Sequence, residues 1–201
     1  MPLLNFRAYL IVLVTMAGCS GRPERFAAPD VDHEDAASQA VELYDKSGDG
    51  DLDADELKAC PAILAKLTAY DQNANGSVDS KEIAAHLGQL LNGTGGTQLS
   101  AVVTLKGKPL SGANVVMEPE PYLGAEIQTA KGVTDGSGSA RLGIPPEFVP
   151  EHVRRIAAVH YGTFKFRITH PSINIPKKYN TETELGYETE IGNPVVRFDL
   201  K

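Results

Sequence analysis

Apolar positions recur along this chain with two different periods, and the change from one to the other falls within Gly88–Thr97. Between Asp32 and Tyr44, the residues Ala37, Val41 and Tyr44 share one helical face; Ile63, Leu64, Leu67 and Tyr70 do the same from Pro61 to Tyr70, as do Ile83, Leu87, Leu90 and Leu91 from Ser80 to Leu91. Spacings of three and four mark amphipathic helices, so three are expected in the first half. Pro61 suits the first position of a helix, which places the end of a short preceding helix near Cys60. Beyond Thr97 the pattern alternates. Leu99, Ala101, Val103 and Leu105 line one side of a strand, Ala113, Val115 and Met117 a second, and Phe164, Phe166 and Ile168 a later one. Two more strands, near Ile127–Thr134 and Ser139–Ile144, flank the hairpin signal Asp135-Gly-Ser-Gly138, and Val195–Leu200 reads as another. The stretch Pro150–Val159 is read as one or two helical turns. Short strands joined by Gly/Pro turns over about a hundred residues predict an antiparallel β-sandwich. The expected fold class is α+β: a small helical pair, then the sandwich.

Two twelve-residue stretches punctuate the helical half. Asp45-Lys-Ser-Gly-Asp-Gly-Asp-Leu-Asp-Ala-Asp-Glu56 recurs in altered form as Asp71-Gln-Asn-Ala-Asn-Gly-Ser-Val-Asp-Ser-Lys-Glu82. A hard divalent cation such as Ca²⁺ takes about six to eight oxygens, which a curled loop supplies from alternate side chains, one carbonyl and a closing bidentate carboxylate. In the first copy, positions one, three, five, nine and twelve are Asp45, Ser47, Asp49, Asp53 and Glu56, with Asp51 giving the carbonyl. In the second they are Asp71, Asn73, Asn75, Asp79 and Glu82, with Ser77 giving the carbonyl. Gly50 and Gly76 occupy position six, where the chain must turn through positive φ, and Leu52 and Val78 occupy position eight, where an apolar side chain pins the loop to a core. Tyr44 and Tyr70 precede the loops, so the repeat extends beyond the ligand positions. Asp/Gly/Asn-rich stretches are ordinarily solvated turns; two complete matches at fixed offsets favour the metal reading.

At these residues the sequence resembles the EF-hand family, twice over. The resemblance implies two Ca²⁺ sites. Only Leu57–Tyr70 separates the loops, less than the helix, turn and helix of a typical pair, which disfavours a sensor that opens by swinging long helices apart.

The N-terminus carries Arg7, then the apolar Ala8–Ala17, then Gly18-Cys19-Ser20. This is the order of an export signal, and the apolar run is shorter than the roughly 20 residues that span a bilayer. Met16-Ala17-Gly18-Cys19 resembles a bacterial lipobox, with Met16 where Leu, Val or Ile is usual; the resemblance implies lipidation of Cys19 and, with Ser20, export to the outer membrane. An ordinary secretory signal with a chance cysteine is the alternative. The expected organisation is a signal over 1–18, a tether over 19–31 whose Gly21–Pro29 is flexible, the helical pair over 32–91, a flexible Gly-rich linker over 92–97 and the sandwich over 98–201.

Charge separates the halves further. Asp30–Gly95 holds fourteen acids against four lysines, while the remainder from Gly96 is near neutral, although the whole chain carries −7. With no basic stripe to displace counterions, nucleic acid is not an expected partner. Cys60 is the only cysteine besides Cys19 and reads as a buried small apolar residue.

The run Val103–Val116, with Gly132–Gly138 and Tyr161–Ile168, resembles the carboxypeptidase regulatory-like or transthyretin-like sandwich. Signal, loops and sandwich together resemble exported lipoproteins of planctomycete-type bacteria. Such sandwiches are generally non-catalytic. The Tyr-Arg-Gly-Ser signature of the hydrolase that shares the transthyretin-like fold is absent. His152, His160 and His170 read as scattered surface residues, and Glu118 and Glu120 flank Pro119 with no cleft evident. No enzymatic activity is therefore expected. The implied function is a calcium-binding, lipid-anchored exported protein whose sandwich serves envelope adhesion or assembly, with an envelope protein or polysaccharide as partner. The alternative is an accessory carbohydrate- or peptide-binding component of an envelope enzyme complex, its acidic pair acting as a dockerin-like connector.

Overall fold

The computed structural model describes residues 26–92, 95–151 and 154–201. The expected export signal, Cys19 and His152 lie outside them. The fold is α+β with mostly antiparallel sheets. Helix α1 spans His33–Tyr44 and starts where Asp32 accepts the Glu34 and Asp35 N–H groups, at 3.0 and 3.1 Å. Its small buried face, Ala36, Ala37 and Ala40, packs on α4, Ser80–Leu91, whose Ile83 and Leu87 are buried. Asp79 caps α4 reciprocally with Glu82. Between them lie the two-residue strands β1, Asp51–Leu52, and β2, Val78–Asp79, which pair antiparallel.

The stretch expected as one helix from Pro61 to Tyr70 is two single turns, α2 at Pro61–Leu64 and α3 at Leu67–Tyr70. The break falls at Lys66, whose N–H bonds the Ile63 carbonyl three residues back. It turns Lys66 outward to pair with Glu190, while Ile63 and Tyr70 on either side stay buried.

The second half contains two four-stranded sheets. One is built on β3 (Leu99–Leu105), which pairs in parallel with β10 (Val195–Leu200) and, along its other edge, antiparallel with β4 (Lys108–Pro109) and β7 (Ser139–Leu142). The other runs β6 (Ala130–Val133), β5 (Asn114–Pro119), β8 (Thr163–Thr169), β9 (Gly186–Glu188). Alternate residues of both sheets are buried in a shared core, where the Phe166 and Phe198 rings lie 4.8 Å apart. The turn Asp135–Gly138 forms as expected, Asp135 accepting the Ser137 and Ser139 N–H groups, yet it does not close a simple hairpin. β6 and β7 enter different sheets, with a lone bridge between Lys131 and Gly143, so this turn is a corner between layers.

Helical and sheet halves share one continuous core. α2 lies across β8 and β9 so closely that a Cβ on Gly186 would sit 2.0 Å from the Pro61 carbonyl carbon. Where the expected flexible linker and tether are described, Gly95 and Gly96 pack against Phe26. Gly95 N–H donates to the Phe26 carbonyl, and a Cβ on Gly96 would fall 2.3 Å from the Phe26 ring. These glycines serve close approach, which composition alone does not distinguish from flexibility.

Candidate metal centre

The two loops, whose sequences differ at most positions, share a set of hydrogen bonds. Gly50 N–H donates to Asp45 Oδ2 and Gly76 N–H to Asp71 Oδ2, each at 2.9 Å. Glu56 Oε1 accepts the Lys46 and Ser47 N–H groups at 2.8 and 2.9 Å; Glu82 Oε1 accepts those of Gln72 and Asn73 at 3.0 and 3.2 Å. Asp53 Oδ1 takes the Glu56 N–H at 2.9 Å while Glu56 Oε2 takes the Asp53 N–H at 3.1 Å, and Asp79 and Glu82 repeat this at 2.8 and 3.1 Å. Positions nine and twelve thus form a capping box in both copies. Gly50 and Gly76 turn at φ of 91° and 89°, and a Cβ at either would meet nothing within 4 Å. Glycine is required there by backbone conformation and not by crowding.

The remaining expected ligands lie on the same rims. Ser47 Oγ donates to Asp45 Oδ1 at 3.1 Å, Asp49 Oδ1 takes the Asp51 N–H at 3.0 Å, and Asn73 and Asn75 accept the Asn75 and Ser77 N–H groups, both at 3.0 Å. Ser77 Oγ crosses to Asp51 Oδ2 at 3.2 Å, joining position seven of one loop to position seven of the other. Beside it the position-eight residues pair in register, Leu52 with Val78, and both are fully buried. Each contributes about 1.5–3 kcal/mol by leaving water, so the ribbon is anchored from below.

Electrostatics favour charged rims. The Gly48 and Gly50 N–H groups hold the Asp45 carboxyl below its ordinary range, and those of Ser47 and Asp53 do the same for Glu56. Among the described residues no cluster of three or more His, Cys, Asp or Glu side chains is preformed as a metal site. The carboxylate oxygens are turned on to the loops' own N–H groups instead.

The donor set nevertheless fits a hard cation. It is all oxygen, and the closing Glu56 and Glu82 are only 7% and 8% exposed. Asp45, Ser47, Asp49, Asp53 and Glu56 with the Asp51 carbonyl would hold one ion; Asp71, Asn73, Asn75, Asp79 and Glu82 with the Ser77 carbonyl would hold the other. Bound there, a divalent ion would neutralise acidic side chains and tie entry to exit in each loop.

Compared with known protein families, characterised proteins and solved structures, the chain has no match.

Other candidate residues are accounted for locally. Glu118 pairs with Arg167, whereas Glu120 is fully buried and faces Lys165 at 3.1 Å and the Tyr44 hydroxyl at 2.8 Å, so the two carboxylates do not act as a pair. His170 stays at the surface, accepting the Ser172 and Ile173 N–H groups. His160 does not: it is 5% exposed, lies beside the Phe26 ring, and is pushed by burial to a pKa of about 4. The expectation of a surface histidine is corrected here, because the packed segment at Phe26 covers it. A cleft of about 660 Å³ opens between the halves beside Pro61 and Leu64, and its inner cations Lys165 and Arg167 are already paired with Glu120 and Glu118. Cys60 is buried, and burial, then Glu120, push its thiol pKa up, the opposite of what a nucleophile needs. Among the described residues no helix is long and apolar enough to cross a membrane.

Sequence reasoning does not find the roles of Glu120 and Glu188. Tyr70 OH donates to Glu188 Oε2 at 2.7 Å, as Tyr44 does to Glu120. The one available signal is the repeated tyrosine itself, since a phenol on an apolar helical face requires a buried acceptor.

Proposed function

We propose that this chain is a calcium-binding, lipid-anchored exported protein, in which an EF-hand pair rests on a transthyretin-like β-sandwich that serves envelope adhesion or assembly and carries no catalysis. The observation that carries the calcium reading is the duplicate hydrogen bonding of the two loops together with the Leu52–Val78 register between them. Two unlike sequences reach the same geometry because both meet the demands of one oxygen-lined loop. The facing sheets, with alternate residues turned into one core, support the sandwich. Anchoring through Cys19 rests on the lipobox resemblance.

The bound ion would be structural. External calcium modules work at about 10⁻⁴ to 10⁻³ M, where surrounding calcium keeps them filled. α2 and α3 are single turns and leave no long helix to swing between the loops.

Calorimetric titration of the chain from Ser20 onward tests the reading. Two Ca²⁺ are expected to bind, the tighter at the first loop, which has more carboxylates; Glu56→Gln and Glu82→Gln each remove one. No binding heat from the unaltered chain refutes it.

A further inference from the structure

The internal repeat continues past the loops. Tyr44 and Tyr70 stand one residue before positions Asp45 and Asp71, and Cys60 and His86 stand four residues after Glu56 and Glu82. Each tyrosine thus belongs to the segment entering a loop and each of the other two to the segment leaving it. Three of the four, Tyr44, Tyr70 and His86, bond to two carboxylates of the sheet half. Glu188 Oε2 accepts from Tyr70 at 2.7 Å, and both of its oxygens lie 3.0–3.1 Å from His86 Nε2. The Tyr70 and His86 rings pack 3.9 Å apart, so entry and exit of the second loop meet at this one side chain. Glu120 holds the entry to the first loop, accepting from Tyr44 at 2.8 Å, while on the exit side the Cys60 thiol lies 3.9 Å from the Tyr122 hydroxyl. Glu188 is 6% exposed and Glu120 not at all, and Lys165 supplies the charge partner that Glu120 needs.

Burying two carboxylates carries a desolvation cost. Glu120 Oε1 has no hydrogen-bond partner among the described residues, so this site is not arranged for stability alone. Both acids instead hold equivalent points of a repeat that spans a metal loop.

We propose that Glu120 and Glu188 are positioning residues for the two loops: Glu188 fixes the angle between the segments entering and leaving the second loop, Glu120 holds the segment entering the first, and each so sets the divalent-cation affinity of its loop from the sheet half. This rests on the calcium reading above. A loop whose ends are already held does not lose that freedom on binding, and affinity rises accordingly. By linkage, an ion in the second loop strengthens the Tyr70–Glu188–His86 contact as much as the contact strengthens the ion.

The test reads one loop at a time by Ca²⁺ calorimetry on the chain from Ser20 onward. With the first loop disabled by Glu56→Gln, introducing Glu188→Gln or Tyr70→Phe should weaken the remaining site roughly tenfold, a size typical of coupling between sites. With the second loop disabled by Glu82→Gln, the same two changes should leave the first site within about twofold, below that coupling range. Tyr44→Phe should show the converse preference. Tyr70→Phe removes a single oxygen and leaves the His86–Glu188 contact, so it carries the comparison if Glu188→Gln does not fold. An unaltered chain that binds no Ca²⁺ overturns the calcium reading and this proposal together. An unaltered chain that binds two ions, with Tyr70→Phe lowering the unfolding midpoint but neither affinity, or both affinities equally, overturns the positioning role alone.

Discussion

Gly186→Ala introduces a single methyl group where α2 crosses β9, and the structure sets what that methyl group must displace. Its carbon would lie 2.0 Å from the Pro61 carbonyl carbon, 2.1 Å from the Pro61 oxygen and 2.2 Å from the Ala62 nitrogen. All three are backbone atoms, so no rotamer change relieves the contact, and α2 must move by more than an ångström. Proline at the first position of α2 and the pairing of Gly186 with Lys165 across β8 stiffen both sides. Overpacking typically costs about 1–3 kcal/mol. With three fixed atoms in the way the upper end applies, roughly 3 kcal/mol, which for a chain of this length lowers the melting midpoint by about 6–12 °C. Gly136→Ala is the control, because a Cβ there meets nothing within 4 Å and its φ is not positive; surface changes of that kind fall within about 0.5 kcal/mol. Urea unfolding followed by circular dichroism measures both. Equal midpoints for the two variants would refute the close docking of the helical half on the sheets.

Leu52→Ala should cost about 2–4 kcal/mol in chemical denaturation, because the side chain is fully buried beneath the ribbon shared by both loops; calorimetry should show both proposed Ca²⁺ sites weakened, not one. Gly96→Ala should drive Phe26 off its seat, since the new Cβ would lie 2.3 Å from the ring and 2.4 Å from the Val159 oxygen; chymotryptic cleavage after Phe26 should then quicken under native conditions. His160 holds its proton only near pH 4 when folded against an ordinary 6.5, so the unfolded chain binds that proton first and stability should fall as pH drops from about 6.5 to 4 and be flat above. His160→Gln should remove this part of the slope, and parallel urea midpoints for the two proteins across that range would contradict the buried site.

The two twelve-residue loops are legible in the sequence as a structural repeat because every group in them lies within twelve residues of every other, so offsets alone encode their shared hydrogen bonding. α1 and α4 are legible for a similar reason: their apolar stripes and their caps at Asp32 and Asp79 are local. What is not legible depends on distant partners. Glu120 and Glu188 stand 76 and 118 residues from the tyrosines they grip, and nothing near either marks it as a buried acceptor. The Asp135–Gly138 stretch is legible as a turn but not as a corner between sheets, since its own chemistry is satisfied whichever sheet the next strand joins. Gly95, Gly96 and Gly186 illustrate a related ambiguity: a residue with no side chain permits motion in one context and closest contact in another, and only the opposing backbone decides.

The parallel pairing of β10 with β3 bears on the order in which the molecule assembles. Asp199 and Thr104, which this pairing brings together, are 95 residues apart, so the outer edge of β3 has no neighbour until nearly all of the sheet half has been synthesised. Until then Phe166 lacks the Phe198 ring across the core. Closing so long a loop is entropically costly and slow, which keeps the nascent chain pliable through most of its production. The same delay leaves the bare edge of β3 as the place where two half-made chains would first stick to each other.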